Sequence, residues 1–424
     1  MLKTIFILII ILRFTIPVRA EHPDTVINRY LAEREFFRLR DEFPQLAEGA
    51  DEPLSLFAQA YLASYFNDLP RANQHIRTLL KEHSDWLGID DRIALAARLA
   101  DNEARLQHYR EAAFIYRQLV SHWPSYKSRT TLEIYQGYDK LYSALTNVAP
   151  MRIESMTDTS VMNLKSDRMN LTTVPVSYEK IHCDFILDLG AGISMVEEQY
   201  IDEFDIEILG DSIMVRGGTG HDRFVRIGIA KEMRIGEIKI ENLVFLITPD
   251  KIVEDIPGYD IRGIIGLPVM QLFEKITVTT AGQLKVTRSP NDIPYPPNMM
   301  IVNNMVYVQM IAGRDSLLMH FDSGSNVSSL SNHYFGRSNH GLTYTSASQT
   351  RLASYGGFRV FPVYTIENFK CRIGTRNLLL PSIDIILEDI NLTTLPVDGV
   401  IGQDIMRMNR ETMIDFKNMY FDFR

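Results

Sequence analysis

The chain has 424 residues, enough for two to four domains of ordinary size. Hydrophobic residues make up 46% and charged residues 23%, an ordinary globular balance. The net charge of -9, with no long basic run, argues against nucleic acid as a partner.

Residues 1–20 read as a signal peptide. Lys3 supplies a positive start, Ile5 to Leu12 an unbroken apolar run, and Val18-Arg19-Ala20 a cleavage site. Arg13 interrupts the apolar run, which is too short to span a bilayer comfortably. The expectation is an exported protein, periplasmic or secreted, starting at Glu21 and with no transmembrane span after cleavage. An uncleaved anchor is the other reading. No cysteine follows the cut, so a lipid-anchored N-terminus is not expected. The two cysteines, Cys183 and Cys371, cannot define a disulfide framework; one bridge and two free thiols both fit. Neither has a Cys-x-x-Cys neighbour, which argues against a zinc or redox site.

Residues 21–150 have a helical period, with apolar and small positions at three- and four-residue steps, as in Leu56, Ala60, Tyr61 and Ala63. Pro53, Pro70 and Pro124 mark helix ends. A weak repeat runs through the segment. Pro70-Arg71-Ala72 leads to Ile76, Arg77, Leu79 and Leu80; some 40 residues later Arg110-Glu111-Ala112 leads to Tyr116, Arg117, Leu119 and Val120. This spacing resembles tetratricopeptide-type helix pairs, which implies a surface for a protein partner. A helical bundle of no special family is the plainer reading.

At residues 151–171 the helical period is lost and Met, Ser, Asn, Asp and Thr dominate, so this stretch reads as a linker. From Thr172 on, short β-branched runs alternate with glycine turns, as in Leu243 to Thr248, Ile276 to Thr279 and Ile383 to Leu387. Residues 289–297, with four prolines, divide this all-β region into 172–288 and 298–424.

The two halves repeat. The first carries Phe185-Ile186-Leu187-Asp188-Leu189-Gly190-Ala191 with Ser194 beyond. The second carries Leu318-Met319-His320-Phe321-Asp322-Ser323-Gly324-Ser325 with Ser328 beyond. Two aliphatics and a glycine follow in each: Ile264-Ile265-Gly266, and Val400-Ile401-Gly402. Gly190 to Gly266 is 76 positions and Gly324 to Gly402 is 78. Arg234-Ile235-Gly236 and Arg372-Ile373-Gly374 lie between, nearly in register. One Asp-Ser-Gly is an ordinary turn; two copies at matched spacing are much more specific. A duplicated β fold using such turns without chemistry is the competing account.

These motifs resemble those of the pepsin and retropepsin superfamily of aspartic proteases over residues 172–424. The resemblance implies two acid-protease-like barrel lobes after an all-α region. It gives Asp188 and Asp322 as catalytic, with Leu189, Gly190, Ala191, Ser323, Gly324 and Ser325 in their loops and Gly266 and Gly402 in the supporting segments. Two glycine-rich tips read as flaps over the substrate: Gly217, Gly218, Thr219 and Gly220, about 30 residues after Asp188, and Tyr355, Gly356 and Gly357, about 34 after Asp322. Two such tips look more like a fused retropepsin dimer than a pepsin.

Two carboxylates a few ångströms apart can activate a water and protonate a carbonyl oxygen, because their repulsion raises one pKa until they share a proton. No metal or other cofactor is required, and the expected substrate is an extended peptide or protein. Ser325 has a hydroxyl for Asp322 where Ala191 has none for Asp188, so Asp322 is expected to be the base and Asp188 to carry the proton. Leu189 departs from the family, which places Thr or Ser there to brace the opposite loop. Two further readings follow: a weakened or inactive peptide- or partner-binding protein on the same fold, and a helical interaction platform with the β region as ballast. Other chemistries are weaker. His320, Asp322 and His333 could be drawn together around a metal, but such alternation is common on strands. No Gly-x-Ser-x-Gly elbow supports a serine triad. The Asn-x-Ser/Thr patterns at Asn170, Asn326 and Asn391 read as chance.

Overall fold

The structure is a computed structural model that describes residues 21–216, 222–249, 251–252, 258–337, 345, 347–354, 357–388 and 395–424. The chain forms two compact units, one reaching to Ala58 and the other running from Gln59 on. Among the described residues seven α-helices come first: α1 (Pro23–Glu33), α2 (Phe36–Leu46), α3 (Glu52–Tyr65), α4 (Leu69–Glu82), α5 (Ile89–Arg105), α6 (Tyr109–His122) and α7 (Arg129–Ala144). In the first unit α1 and α2 pack together over Ile27, Tyr30 and Leu39, and the Tyr30 hydroxyl donates to Glu42 at 2.7 Å.

In the second unit α4 to α7 pack each on the next. The repeat seen in the sequence is a repeat of burial. Ala72, Ile76 and Leu79 on α4 and Ala112, Tyr116 and Leu119 on α6 are all buried, one stripe of a helix in each case. The turns entering these helices also match. Asn67 and Gln107 both take the left-handed conformation, at φ 68° and 62°, and the amides of Asp68 and His108 donate to the carbonyls of Ala63 and Glu103, both at 2.8 Å. The 40-residue offset is longer than the ~34 of a tetratricopeptide repeat.

After the helices come strands β1 (Arg152–Ser155), β2 (Thr159–Asn163), β3 (Lys165–Ser166), β4 (Thr172–Tyr178), β5 (Ile181–Leu187), β6 (Ser194–Glu197), β7 (Ile206–Arg216), β8 (Asp222–Ile235), β9 (Ile238–Thr248) and β10 (Gly263–Ile265). A short helix, α8 (Leu267–Gln271), precedes β11 (Lys275–Thr279) and β12 (Gln283–Thr287). Then follow β13 (Met299–Val302), β14 (Met305–Ala312), β15 (Asp315–Phe321), β16 (Ser329–Leu330), α9 (Asn332–Arg337), β17 (Ser348–Ser354), β18 (Gly357–Ile373), β19 (Arg376–Ile386), β20 (Gly399–Ile401), α10 (Gln403–Arg407), β21 (Glu411–Asp415) and β22 (Tyr420–Phe423).

These strands make three sheets. The first runs β1-β9-β6-β10-β5-β4-β8-β7 and the last β13-β14-β15-β20-β16-β19-β18-β17, with β9 also pairing β8 and β14 also pairing β18. From β9 to β4 and from β19 to β14 the neighbours correspond one for one. A third sheet, β2-β12-β11-β21-β22, takes strands from both halves. The stretch 151–171, read as a linker, supplies β1, β2 and β3. Gly236 and Gly374, of the matched Arg-Ile-Gly pairs, open equivalent hairpin loops at φ 56° and 55°, a conformation that suits glycine. Both cysteines are free thiols, and among the described residues no helix is long and apolar enough to cross a membrane.

Candidate active site

Strands β5 and β15 are central in their sheets, so their ends are buried and largely apolar: Phe185, Ile186 and Leu187 in one, Met319 and Phe321 on either side of His320 in the other. Each strand then stops at an aspartate. The next strand over, β10 or β20, runs parallel to it, with Leu187 opposite Ile265 and Phe321 opposite Ile401. The amides of Asp188 and Asp322 donate to the carbonyls of Ile265 and Ile401, both at 3.0 Å.

The supporting glycines come next. Gly266 N–H donates to Ser194 Oγ at 3.0 Å and Gly402 N–H to Ser328 Oγ at 2.8 Å. Leu267 N–H donates to Ala191 O at 2.9 Å and Gln403 N–H to Ser325 O at 2.8 Å. A side chain at either glycine would meet backbone: a Cβ on Gly266 would lie 2.7 Å from Ala191 O, and one on Gly402 2.9 Å from Ser325 O. The serines six residues beyond the aspartates are therefore part of the loop's scaffold.

The two loops face each other. Each carboxylate accepts from the glycine two residues on, Asp188 Oδ1 from Gly190 and Asp322 Oδ1 from Gly324, both at 2.8 Å. Each glycine lies against the opposite carboxyl. A Cβ on Gly190 would sit 2.5 Å from Asp322 Oδ1, and one on Gly324 2.6 Å from Asp188 Cγ. The two carboxyls are close enough for each to shift the pKa of the other. Ser323 ties the loops together from below: its hydroxyl donates to Leu187 O and accepts from Leu189 N–H, both at 2.9 Å. Leu189 contributes no such bond; its side chain is fully buried in the apolar core.

Burial and the Asp322 charge push the Asp188 pKa up to about 8. Burial raises Asp322 as well, against the lowering effect of the hydrogen bond from Gly324 N–H and of the neighbouring Asp188 carboxyl. The Ser325 hydroxyl does not act as the sequence suggested. It donates to Val327 O at 3.0 Å, a partner within its own loop, while the Ser325 N–H donates to the Asp322 main-chain carbonyl at 3.2 Å, as the Ala191 N–H does to that of Asp188 at 3.3 Å. The two loops therefore give their aspartates matching backbone donors, which side-chain types do not reveal.

Gln403 was missed in the sequence, and His320 was read there only as a metal candidate. The Gln403 side chain donates to Ser323 O at 2.6 Å and accepts from Thr172 Oγ1 at 3.0 Å, joining β4 of the first half to the second half's loop. Its signal was its place directly after Gly402, where the first half has Leu267. His320 is buried near Asp188; its Nδ1–H donates to Val306 O at 3.0 Å, and burial lowers its pKa, keeping it neutral.

The metal reading gains nothing. His333 pairs with Asp398 at 3.1 Å while His320 bonds Val306, and among the described residues no three His, Cys, Asp or Glu are placed to hold an ion. Asn326 spends its amide on Met169 O at 2.7 Å. Of the flap residues, Gly217, Gly218, Thr219, Gly220, Tyr355 and Gly356 lie outside the described residues. Gly357 pairs with Ser354, and Arg216 with Asp222, at the bases of the two hairpins.

Residues 174–269 match the aspartyl protease family model. The match takes in the Asp188 loop and the Gly266 segment, and it supports an aspartyl protease family for this part of the chain. A comparison with curated proteins finds no match.

Proposed function

We propose that the protein is an exported aspartic-type endopeptidase acting on extended peptide or protein. The observation that carries this reading is the pair of half-buried carboxyls that face each other across equivalent loops, each against the other loop's glycine. The family match over residues 174–269 supports the same activity. With the Asp188 pKa raised, Asp322 is the ionised base; it takes a proton from a water held between the acids as the water oxygen attacks the peptide carbonyl carbon. Asp188 holds the shared proton and directs it to the carbonyl oxygen, stabilising the tetrahedral intermediate. Collapse of that intermediate releases the amine, to which a proton returns. The pair titrates as a unit.

The basis for export is Lys3, the apolar run and Val18-Arg19-Ala20. N-terminal sequencing of protein from its host should begin at Glu21, and soluble material beginning at Met1 would end that part of the proposal. The test of activity is turnover of a peptide library by the purified protein. Asp188→Asn and Asp322→Asn should each remove nearly all of it, since members of a catalytic unit are not additive. A peptide carrying a hydroxyl-bearing tetrahedral mimic should bind the wild type better than either variant. Binding without turnover would make this a peptide-binding protein on the same fold.

A further inference from the structure

Behind the Asp188 loop, where α4 to α7 meet the first sheet, lies a cavity of about 320 Å³. Leu69, Leu141 and Leu145 form part of its helical wall, and Val244 and Val269 part of the opposite one. These residues offer apolar contact, and Gln107, Gln271 and Asn304 add polar groups to the lining. Arg105, at the end of α5, also lines it. The Arg105 guanidinium donates to three neutral oxygens: Ser64 O at 3.2 Å, Ile301 O at 3.5 Å and Asn67 Oδ1 at 2.7 Å. Its Nε is buried and has no acceptor. The acid nearest in sequence on the same helix face, Asp101, lies 3.7 Å from Arg98. Two guanidiniums therefore share one carboxylate, and the cluster keeps one positive charge. Burial draws the Arg105 pKa down to about 10, with Asp101 opposing, so the charge persists at neutral pH. A half-buried guanidinium that lines the cavity and meets only neutral oxygens, while sharing Asp101 with Arg98, lacks an anion of its own.

We propose that this cavity binds an apolar carboxylate, with the acid group on Arg105 and a chain of about ten carbons against the leucine and valine walls. The neutral oxygens around Arg105 are compatible with a guest that supplies the missing charge, and the single cation sets the number of carboxylates at one. A free carboxylic acid and the C-terminus of a short apolar peptide share this chemistry. The cavity also touches Ile193, Ser194 and Pro268, in the segments that brace the Asp188 loop. An effect on hydrolysis would rest on the function proposed above; the binding itself does not.

Titration calorimetry on the chain from Glu21 on tests it, with decanoate, decanol and decylamine, and with N-acetylleucylleucine and its amide. Decanoate should bind at least tenfold more tightly than decanol, and decylamine least; a preference for the acid over the amide in the peptide pair identifies the second source. Arg105→Gln should erase the preference for the acid. Ala104→Leu fills the cavity and leaves the guanidinium in place, so it should weaken decanoate binding tenfold or more even if Arg105→Gln fails to fold. No saturable binding of either acid, equal binding of decanoate and decanol, or unchanged decanoate binding by Ala104→Leu would overturn the proposal. Turnover plays no part in the readout, so these failures are distinct from a failure of the peptidase reading.

Discussion

An unfolded aspartate has a pKa near 3.9, and folding lifts that of Asp188 to about 8. The folded state therefore holds this proton more tightly than the unfolded one. The stability so gained is complete below pH ~4 and is lost as pH rises through about 8. Asp188→Asn keeps the shape and removes the titration. Between pH 5 and pH 8, denaturant unfolding should show the wild type losing about 1–3 kcal/mol more than the variant, a figure reduced for the coupling to Asp322. Turnover should likewise fall above about pH 8, as the shared proton is lost. Leu189 gives a second test. With Ser323 already bracing both Leu187 O and Leu189 N–H, and Leu189 fully buried in the core, a hydroxyl at 189 replaces apolar contact. Leu189→Thr should lower stability by about 1–3 kcal/mol without raising turnover. A more stable and more active variant would show a damaged brace rather than an adapted one.

The loops and their supporting segments form one element, repeated. Gly266→Ala and Gly402→Ala should each cost about 1–3 kcal/mol, since the added carbon meets backbone that must shift. Gly336→Ala, on α9 with nothing within 4 Å of the new atom, should be neutral or slightly stabilising, and thermal unfolding of the three variants checks the contrast. This element was legible in the sequence because its parts are short-range and spaced alike: Asp-x-Gly, a serine six residues on, an aliphatic pair with glycine 76 or 78 positions later. The helical stripe was legible for the same reason, in Ala72, Ile76 and Leu79. What escaped depended on distant partners or on reversed polarity. In β2, Ser160 and Met162 are buried while Val161 is 49% exposed, so an alternating strand looked like a polar linker. Ser325 offered two acceptors of similar reach, and residue type does not choose between them.

At the scale of the whole molecule, the sheet β2-β12-β11-β21-β22 matters most. β11 pairs with β21 over five residues, from Lys275 opposite Asp415 to Thr279 opposite Glu411. Residues 172–288 expressed alone would leave one edge of β11 and one edge of β12 without their partners. Scanning calorimetry should show no cooperative transition for that fragment and a cooperative one for the chain from Glu21 on. A sharp transition in the fragment would mean that the first half is a domain in its own right.

The shared sheet also sets a clock. A ribosome that has just joined Asp322 has placed both carboxyls in the chain, yet Gly402, Gln403 and β21 are still to come. Some ninety residues separate Asp322 from Asp415, about 5–20 s of synthesis. During that interval the second aspartate lacks its supporting segment and the first half lacks its neighbouring strand. The loop around Asp322 and the sheet shared by both halves are thus completed only as translation passes β21, late in the synthesis of the chain.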